Sequence, residues 1–383
     1  MNRFRVCLVA MAVLIVVTGC TRPDRAATAD ATIDPMVSVN TLLPAPEEYA
    51  RLRIGTAEAP IPPWTKFLRG VKIVLDPGHG GDAHRRGFKR GPTGVREAEM
   101  NLRVAQYLRD LLVHVGAEVR LTRETDVDLS LAARAGVANE WGADIFISLH
   151  HNAVDNKPEV NYTSVWYHAD VDHHPANLDL ARYLAQGLYD GFPMPSFTDV
   201  PLKSDQLMYP AGFGVLSNAR VTAALTESSF FSNPAEEQRL RDPAYNLREA
   251  HTLFLALARY AAAGLPRVQL LEPSAGVVSA NGGPVRLRLD DGLRGRKSWG
   301  FARQMILSDS IVVRLDGRRI PHAFQNDGYL LEVELPAGLE PGTHTLDVRF
   351  QNMNKNSVLN PRIELRVEPP AGLARGRGGR SGG

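Results

Sequence analysis

Apolar and polar positions along this chain fall into two ordered textures. Between about residues 70 and 265, short apolar runs alternate with longer stretches at helical spacing. Val71 to Leu75 reads as a buried strand that breaks off into Asp76-Pro77-Gly78-His79-Gly80-Gly81. From Met100 to Val115, Leu108, Leu111, Leu112 and Val115 recur at helical spacing, and Gly116 supplies a stop. Glu118 to Thr122 predicts a strand and Leu129 to Trp141 a helix. Asp144 to Leu149 predicts a second buried strand, which also runs into histidine at His150-His151-Asn152. A strand over Ser164 to His168, a helix over Leu178 to Tyr189, a strand over Val221 to Leu225 and a helix over Ala244 to Ala263 complete the series. Such alternation predicts an α/β fold with a mostly parallel sheet and helices on both faces. Past Pro266 the texture changes to short alternating runs, Val268-Leu271, Val285-Leu289, Ile311-Leu315, Tyr329-Leu335, Thr343-Phe350 and Ile363-Val367. Asp316-Gly317 and Asp327-Gly328 are hairpin-type turns between them, and the set predicts a small all-β immunoglobulin-like sandwich.

The two ends carry a different signal. Arg3 and Arg5 precede an apolar stretch from Val6 to Val17. At about a dozen residues it is too short to span a bilayer and has the proportions of a signal-peptide core. It closes in Val17-Thr18-Gly19-Cys20, which resembles the bacterial lipoprotein signal. That resemblance implies acylation of Cys20 and a membrane contact through the N-terminal lipid. Thr21 after the cysteine points to the periplasmic face of an outer membrane. Cys7 and Cys20 are the only cysteines, so an exported body carries no disulfide. The expected organisation is a signal over 1–20, a Pro/Ala-rich tether over 21–69, a catalytic domain over 70–265, the sandwich over 266–369 and a Gly/Arg tail, disordered, over 370–383. With 44 Lys+Arg against 42 Asp+Glu, the charge balance names no polyanionic partner, and no nucleic acid is expected.

Candidate chemistry gathers where strands end. In open α/β sheets the crevice beyond the carboxyl ends of the strands is where ligands bind. His79 and His150 both leave strands there. Glu97, in Arg96-Glu97-Ala98-Glu99-Met100-Asn101-Leu102, opens the first helix near the same edge, while Glu99 is explained by the favourable field of a helix N-terminus. Two imidazoles and one carboxylate make a common open zinc site with a fourth position for water or substrate. Glu227 ends an apolar strand in Leu225-Thr226-Glu227-Ser228-Ser229-Phe230-Phe231-Ser232-Asn233, where a carboxylate is costly unless it has a partner or a task. Gly78, Gly80 and Gly81 do not fit a dinucleotide-binding G-x-G-x-x-G, which excludes that reading. His168, His173 and His174 read as loop residues at the rim of the site, not as a second metal centre.

These segments together resemble the zinc-dependent N-acetylmuramoyl-L-alanine amidases of bacterial cell-wall turnover. The matching elements are Asp-Pro-Gly-His-Gly-Gly at His79, Glu97 four residues before Asn101, Leu121-Thr122-Arg123, Arg134 with Asn139, Ser148-Leu149-His150-His151-Asn152-Ala153, and Glu227 with Phe230 and Asn233. The resemblance covers roughly Val71 to Ala262. It implies one Zn2+ held by His79, Glu97 and His150, with Glu227 as the catalytic carboxylate that takes a proton from water and returns it to the leaving amine. His151 stands where the family often has a small residue, and it is expected to be a bystander or a substrate contact, as is Asn152. Ser229 replaces a frequent glycine. Asp76 or a nearby carbonyl is expected to orient the free nitrogen of His79. Implied, too, are a peptidoglycan substrate and a place in the cell envelope, while for the C-terminal β-domain an activator contact, a wall contact through glycan strands, and a mere cap on the catalytic domain all stay open. Two other readings stay open: a peptidoglycan-binding lipoprotein without activity, and a zinc peptidase acting on the stem peptide.

Overall fold

The computed structural model describes residues 60–368 except 170–173, 197, 199, 294–304 and 326. The expected signal, Cys20, most of the tether, the tail and His173 lie outside the described residues.

The first body is built on strands β1 (Lys72–Pro77), β2 (Glu118–Leu121), β3 (Ile145–Asn152), β4 (Ser164–Tyr167), β5 (Leu202–Ser204) and β6 (Thr222–Phe230). Their order in the sheet is β2-β1-β3-β6-β4-β5. β1, β2, β3 and β6 run parallel, whereas β4 pairs antiparallel with β6 and parallel with β5. The sheet is mixed through the one antiparallel pairing of β4 with β6, and its other four pairings are parallel, as the mostly parallel expectation has it. Apolar runs specify burial on both faces, and burial carries no information about strand direction.

Helices α1 (Glu97–His114), α2 (Leu131–Trp141), α3 (Ala176–Gly191), α4 (Gly214–Ser217), α5 (Pro234–Leu240) and α6 (Pro243–Ala262) accompany these strands. Side chains alternate across a strand with period two. Ile73, Leu75, Ile145, Ile147 and Leu149 accordingly pack with α1, α3 and α6 in one cluster, and Val74, Phe146, Ala223 and Leu225 pack with α2 and α4 in another. Each large apolar side chain so buried contributes about 1.5–3 kcal/mol. A 3-10 helix over Pro63–Leu68 joins the first cluster through Leu68, Trp64 and Phe67, and the carbonyl of Pro60 accepts from His251 Nε2 at 2.7 Å. The chain is thus docked from residue 60 onward, well before the expected end of the tether at 69. Among the described residues no helix is long and apolar enough to cross a membrane.

The second part is all β: β7 (Arg267–Glu272), β8 (Val277–Val278), β9 (Gly283–Asp290), β10 (Val312–Leu315), β11 (Arg318–Arg319), β12 (His322–Gln325), β13 (Leu330–Leu335), β14 (Gly342–Arg349) and β15 (Arg362–Val367). One sheet has the order β12-β13-β9-β7 and the other β11-β10-β14-β15-β8. All pairs are antiparallel except β15 with β8. Leu287 and Val333 of the first sheet share one apolar core with Val313, Val348 and Leu365 of the second. Asp316 and Gly317 both hold positive φ, as a two-residue hairpin between β10 and β11 requires.

Polar side chains tie this part to the amino-terminal ends of the first body's strands. Asp144 accepts from the Lys72 backbone N–H and from Arg267 Nε, both at 2.9 Å. Asn360 Nδ2 donates to the Ala143 carbonyl at 3.0 Å, and Thr222 Oγ1 donates to the Leu359 carbonyl at 2.5 Å. Leu359 itself sits fully buried in the core of the first body.

Candidate metal centre and active site

At the opposite, carboxyl ends of β1, β3 and β6 the backbone turns sharply. His79 adopts a φ of 59°, a left-handed conformation that costs a non-glycine residue about 1–3 kcal/mol unless its surroundings impose it. Two buried guanidiniums do so. Arg134 Nη2 donates to the His79 carbonyl at 2.8 Å, and Arg123 donates from Nε to the Pro77 carbonyl and from Nη2 to the Gly78 carbonyl, each at 2.8 Å. Gly78 has no alternative: a Cβ there would lie 2.1 Å from Cε1 of His150.

The carboxylate of Glu97 meets both histidines. His79 Nε2 lies 3.1 Å from Glu97 Oε2, and His150 Nδ1 lies 3.1 Å from Glu97 Oε1. The two rings stand edge to face with centroids 4.8 Å apart. One donor atom from each of His79, Glu97 and His150 lies within 4.8 Å of the others, the one such group among the described residues. Glu97 is the first residue of α1, three positions earlier than apolar spacing predicted. Its backbone N–H donates to the Lys89 carbonyl at 3.0 Å.

Electrostatics favour a cation here. Burial works to raise the Glu97 carboxyl, but hydrogen bonds and charge from His150 and His79 outweigh it and hold the group well below its ordinary value. Burial lowers His150, keeping its imidazole in the neutral form that ligates metals. Glu97 Oε2 is buried and has no well-formed hydrogen bond despite the neighbouring imidazole. An ionised carboxylate, a neutral imidazole and a second imidazole around one orphaned oxygen fit a divalent metal. Lys89 Nζ, at 3.8 Å from Glu97 Oε2, is the other cation at this rim.

Glu227 lies directly opposite His150 in the β3–β6 register, which then slips so that Asn152 faces Phe230. Its Oε2 is buried without a hydrogen-bond partner, and the side chains of Ser228 and Ser229 beyond it are buried too. Burial first, then the charge of Glu97, push the Glu227 carboxyl up to about 8.

Other expected site residues fall elsewhere. Asp76 is buried and accepts from Thr122 Oγ1, Ser148 Oγ and Arg134 Nη1 at 2.5, 2.7 and 2.8 Å. It reaches the His79 turn through Arg134 and the backbone, in place of the expected bond to the imidazole. His151 is 2% exposed and turned into the α1/α6 layer, so it offers no surface to a substrate. Asn152 is partly exposed at the rim, its Oδ1 accepting from the Ala153 N–H at 2.8 Å. His168 and His174 are buried, not rim residues; His168 Nδ1 pairs with Asp205 at 3.0 Å. Asn101 and Glu249, given no role in the sequence, contact this cluster. Asn101 was signalled by its place one helical turn after Glu97, and Glu249, remote in sequence, had no local signal.

One edge of the mixed α/β sheet thus carries two histidines and a glutamate whose donor atoms suit a metal ion, with a buried second glutamate beside them. The family described as N-acetylmuramoyl-L-alanine amidase matches residues 73–259. The germination-specific N-acetylmuramoyl-L-alanine amidase of Bacillus subtilis is 30% identical over 213 residues, spanning 52% of this chain and 83% of that protein. The N-acetylmuramoyl-L-alanine amidase CwlM of Bacillus licheniformis is 28% identical over 200 residues, 49% of this chain and 68% of the relative. Among solved structures, an N-acetylmuramoyl-L-alanine amidase from Clostridium difficile 630 superposes with a TM-score of 0.44 at 25% identity, covering 50% of this chain and 97% of its own. The chain belongs to the N-acetylmuramoyl-L-alanine amidase family, enzymes that act on peptidoglycan. Its activity is hydrolysis of the amide joining N-acetylmuramic acid to L-alanine.

Proposed function

We propose that this amidase is a zinc enzyme with His79, Glu97 and His150 as ligands to one ion and Glu227 as the catalytic carboxylate. The observation that carries the reading is the convergence of those three donors within 4.8 Å around an orphaned carboxylate oxygen. The chemistry a zinc ion supplies when bound is Lewis acidity toward a carbonyl oxygen and a water. The rest falls to the protein. Arg123 and Arg134 fix the His79 turn, and the neutral imidazole of His150 is ready to ligate. The Glu227 carboxylate accepts a proton from water and returns it to the nitrogen of the departing L-alanine.

The domain limits we assign are 70–265 for the catalytic part, extended back to the docked segment at 60, and 266–369 for a β-sandwich of immunoglobulin-like type. Two sheets around one core support that type. We place the enzyme in the cell envelope, in keeping with relatives named cell wall amidases. The segment ending in Cys20 supports a lipid anchor in the outer membrane, and the C-terminal β-domain is the surface for an activator or wall contact.

Purified sacculi digested with and without a chelator test the reaction by mass spectrometry of the soluble products. Release of intact stem peptides beginning with L-alanine, abolished by the chelator and restored by zinc, is the expected result. Fragments cut within the stem peptide would make it a peptidase, and no soluble product at all would make it a binding protein.

A further inference from the structure

The geometry points to a buried relay, Glu249–His151–Asn101, that positions Glu97 and with it the whole metal site. The inference rests on the zinc reading above. Alternation along β3 sends His150 to the site and His151, like Leu149 two residues earlier, into the layer between the sheet and helices α1 and α6. There His151 Nδ1 lies 2.9 Å from Asn101 Oδ1, and His151 Nε2 lies 3.0 Å from Glu249 Oε2. Asn101 Nδ2 in turn donates to Glu97 Oε1 at 3.3 Å and to the Gly78 carbonyl at 3.4 Å. The backbone N–H of His151 donates to the same Glu97 oxygen at 3.3 Å.

The amide orientation of Asn101 follows from its neighbours. A carboxylate and a carbonyl on one side accept only, so the NH2 faces them, and the oxygen is left to accept from His151 Nδ1–H. Asn101 thus carries the connection from His151 on β3 to Glu97 on α1, and every member of the relay is buried. The relay hydrogen-bonds one prospective ligand, Glu97, and adjoins the other two along the chain. His151 is bonded covalently to His150, Asn101 grips both Glu97 and the residue before His79, and Glu249 holds the His151 ring that Asn101 leans on.

Core packing alone does not require this arrangement. A histidine, an amide and a carboxylate between a sheet and two helices are costlier to bury than apolar residues of the same volume. Here their hydrogen bonds end on the single carboxylate that faces two imidazoles. Outer partners of this kind fix the orientation of metal ligands, and their loss weakens metal binding by about 10–100-fold. His151 and Glu249 are positioning residues: they touch no reacting atom.

The test is a zinc affinity, read by competition with a chromophoric chelator on the full-length protein, with a thermal melt of the chelator-stripped protein alongside. Wild type is expected to bind one zinc. Glu249→Leu and His151→Ala are expected to bind it about 10–100-fold more weakly while still melting cooperatively. Glu249→Gln keeps a side chain of the same length that can bond His151 Nε2 as donor or as acceptor, and it is expected to stay within about threefold of wild type, a rescue that a purely space-filling role would not produce. Unchanged affinity in Glu249→Leu, or equal weakening by Gln and Leu, overturns the relay. Should Glu249→Leu or His151→Ala fail to fold, the Glu249→Gln affinity still decides: a loss of tenfold or more rejects the hydrogen-bonded role. Wild type without zinc would sink the metal reading itself, an outcome distinct from normal wild-type binding with indifferent variants.

Discussion

The two ends of one sheet are built on opposite terms. At the amino-terminal ends of β1, β3 and β6, backbone groups are capped by Asp144, Asn360 and Thr222, and an arginine and two loop residues of the β-domain close over them. At the carboxyl ends the same strands run into a histidine of positive φ, a glycine with no room for a methyl group, and two buried carboxylates with unpartnered oxygens. One end satisfies every group named there; the other leaves acceptors unsatisfied around a point where a cation fits. Unpartnered buried groups each cost about 1–3 kcal/mol, so the docked end contributes stability that the reactive end draws down. The β-domain is thus tied to the amino-terminal end of the sheet through Arg267, Leu359 and Asn360.

Substitutions at the reactive end should change chemistry with little loss of fold. Glu227→Ala is expected to lower the rate of muramoyl amide hydrolysis by about 10²–10⁴-fold, with zinc content unchanged. A full rate measured with purified sacculi would remove Glu227 from the mechanism.

The pH response of chelator-stripped protein separates the two ends further. Glu227, pushed up to about 8 in the folded state, starts from an ordinary value of 4.5. A folded value above the unfolded one stabilises through the bound proton. That contribution is complete below pH 4.5 and is lost as the pH rises toward 8. Within the window wild type should lose stability relative to Glu227→Gln, which cannot ionise, as the pH rises. Denaturation curves at pH 5 and pH 8 check this; a constant difference between the two proteins contradicts it.

Gly78→Ala should drive a methyl group into the His150 ring and weaken zinc binding at least about tenfold, as other losses of ligand orientation do. Chelator competition measures it, and wild-type affinity would show that the turn can yield. At the other end, Asn360→Ala should cost about 1–2 kcal/mol in denaturation, because it loses the bond to the Ala143 carbonyl and leaves the Thr222 N–H unmet. Its kcat/KM per folded molecule should stay at the wild-type value; a fall would mean that the docked end reaches the site.

Much of the reactive end was legible in the chain. His79 and His150 follow apolar runs that stop at turn residues, and Glu97 precedes a helical pattern, so hydropathy alone brings three donors toward one edge. The α/β alternation and the Asp316-Gly317 hairpin were legible for the same reason: each is a local signal. The antiparallel β4 was not, because both strand directions bury the same residues. The docking of Pro63–Leu68 depends on α6 nearly two hundred residues away, and prolines there read equally well as a linker. His151 looked like a spare histidine since its partner, Glu249, lies 98 positions downstream. Asp76 was assigned to the wrong side of the turn. Asp76 lies within β1, three residues before the turn, and its carboxylate is taken up by Arg134 and Ser148.

Anomalous diffraction at the zinc absorption edge, from crystals grown with zinc, places the ion without reference to activity. One strong peak within bonding distance of His79, Glu97 and His150, with the Glu227 carboxyl beside it, is the predicted outcome. A peak on another set of side chains, or none at full zinc loading, contradicts the assignment of this edge of the sheet as the reaction centre.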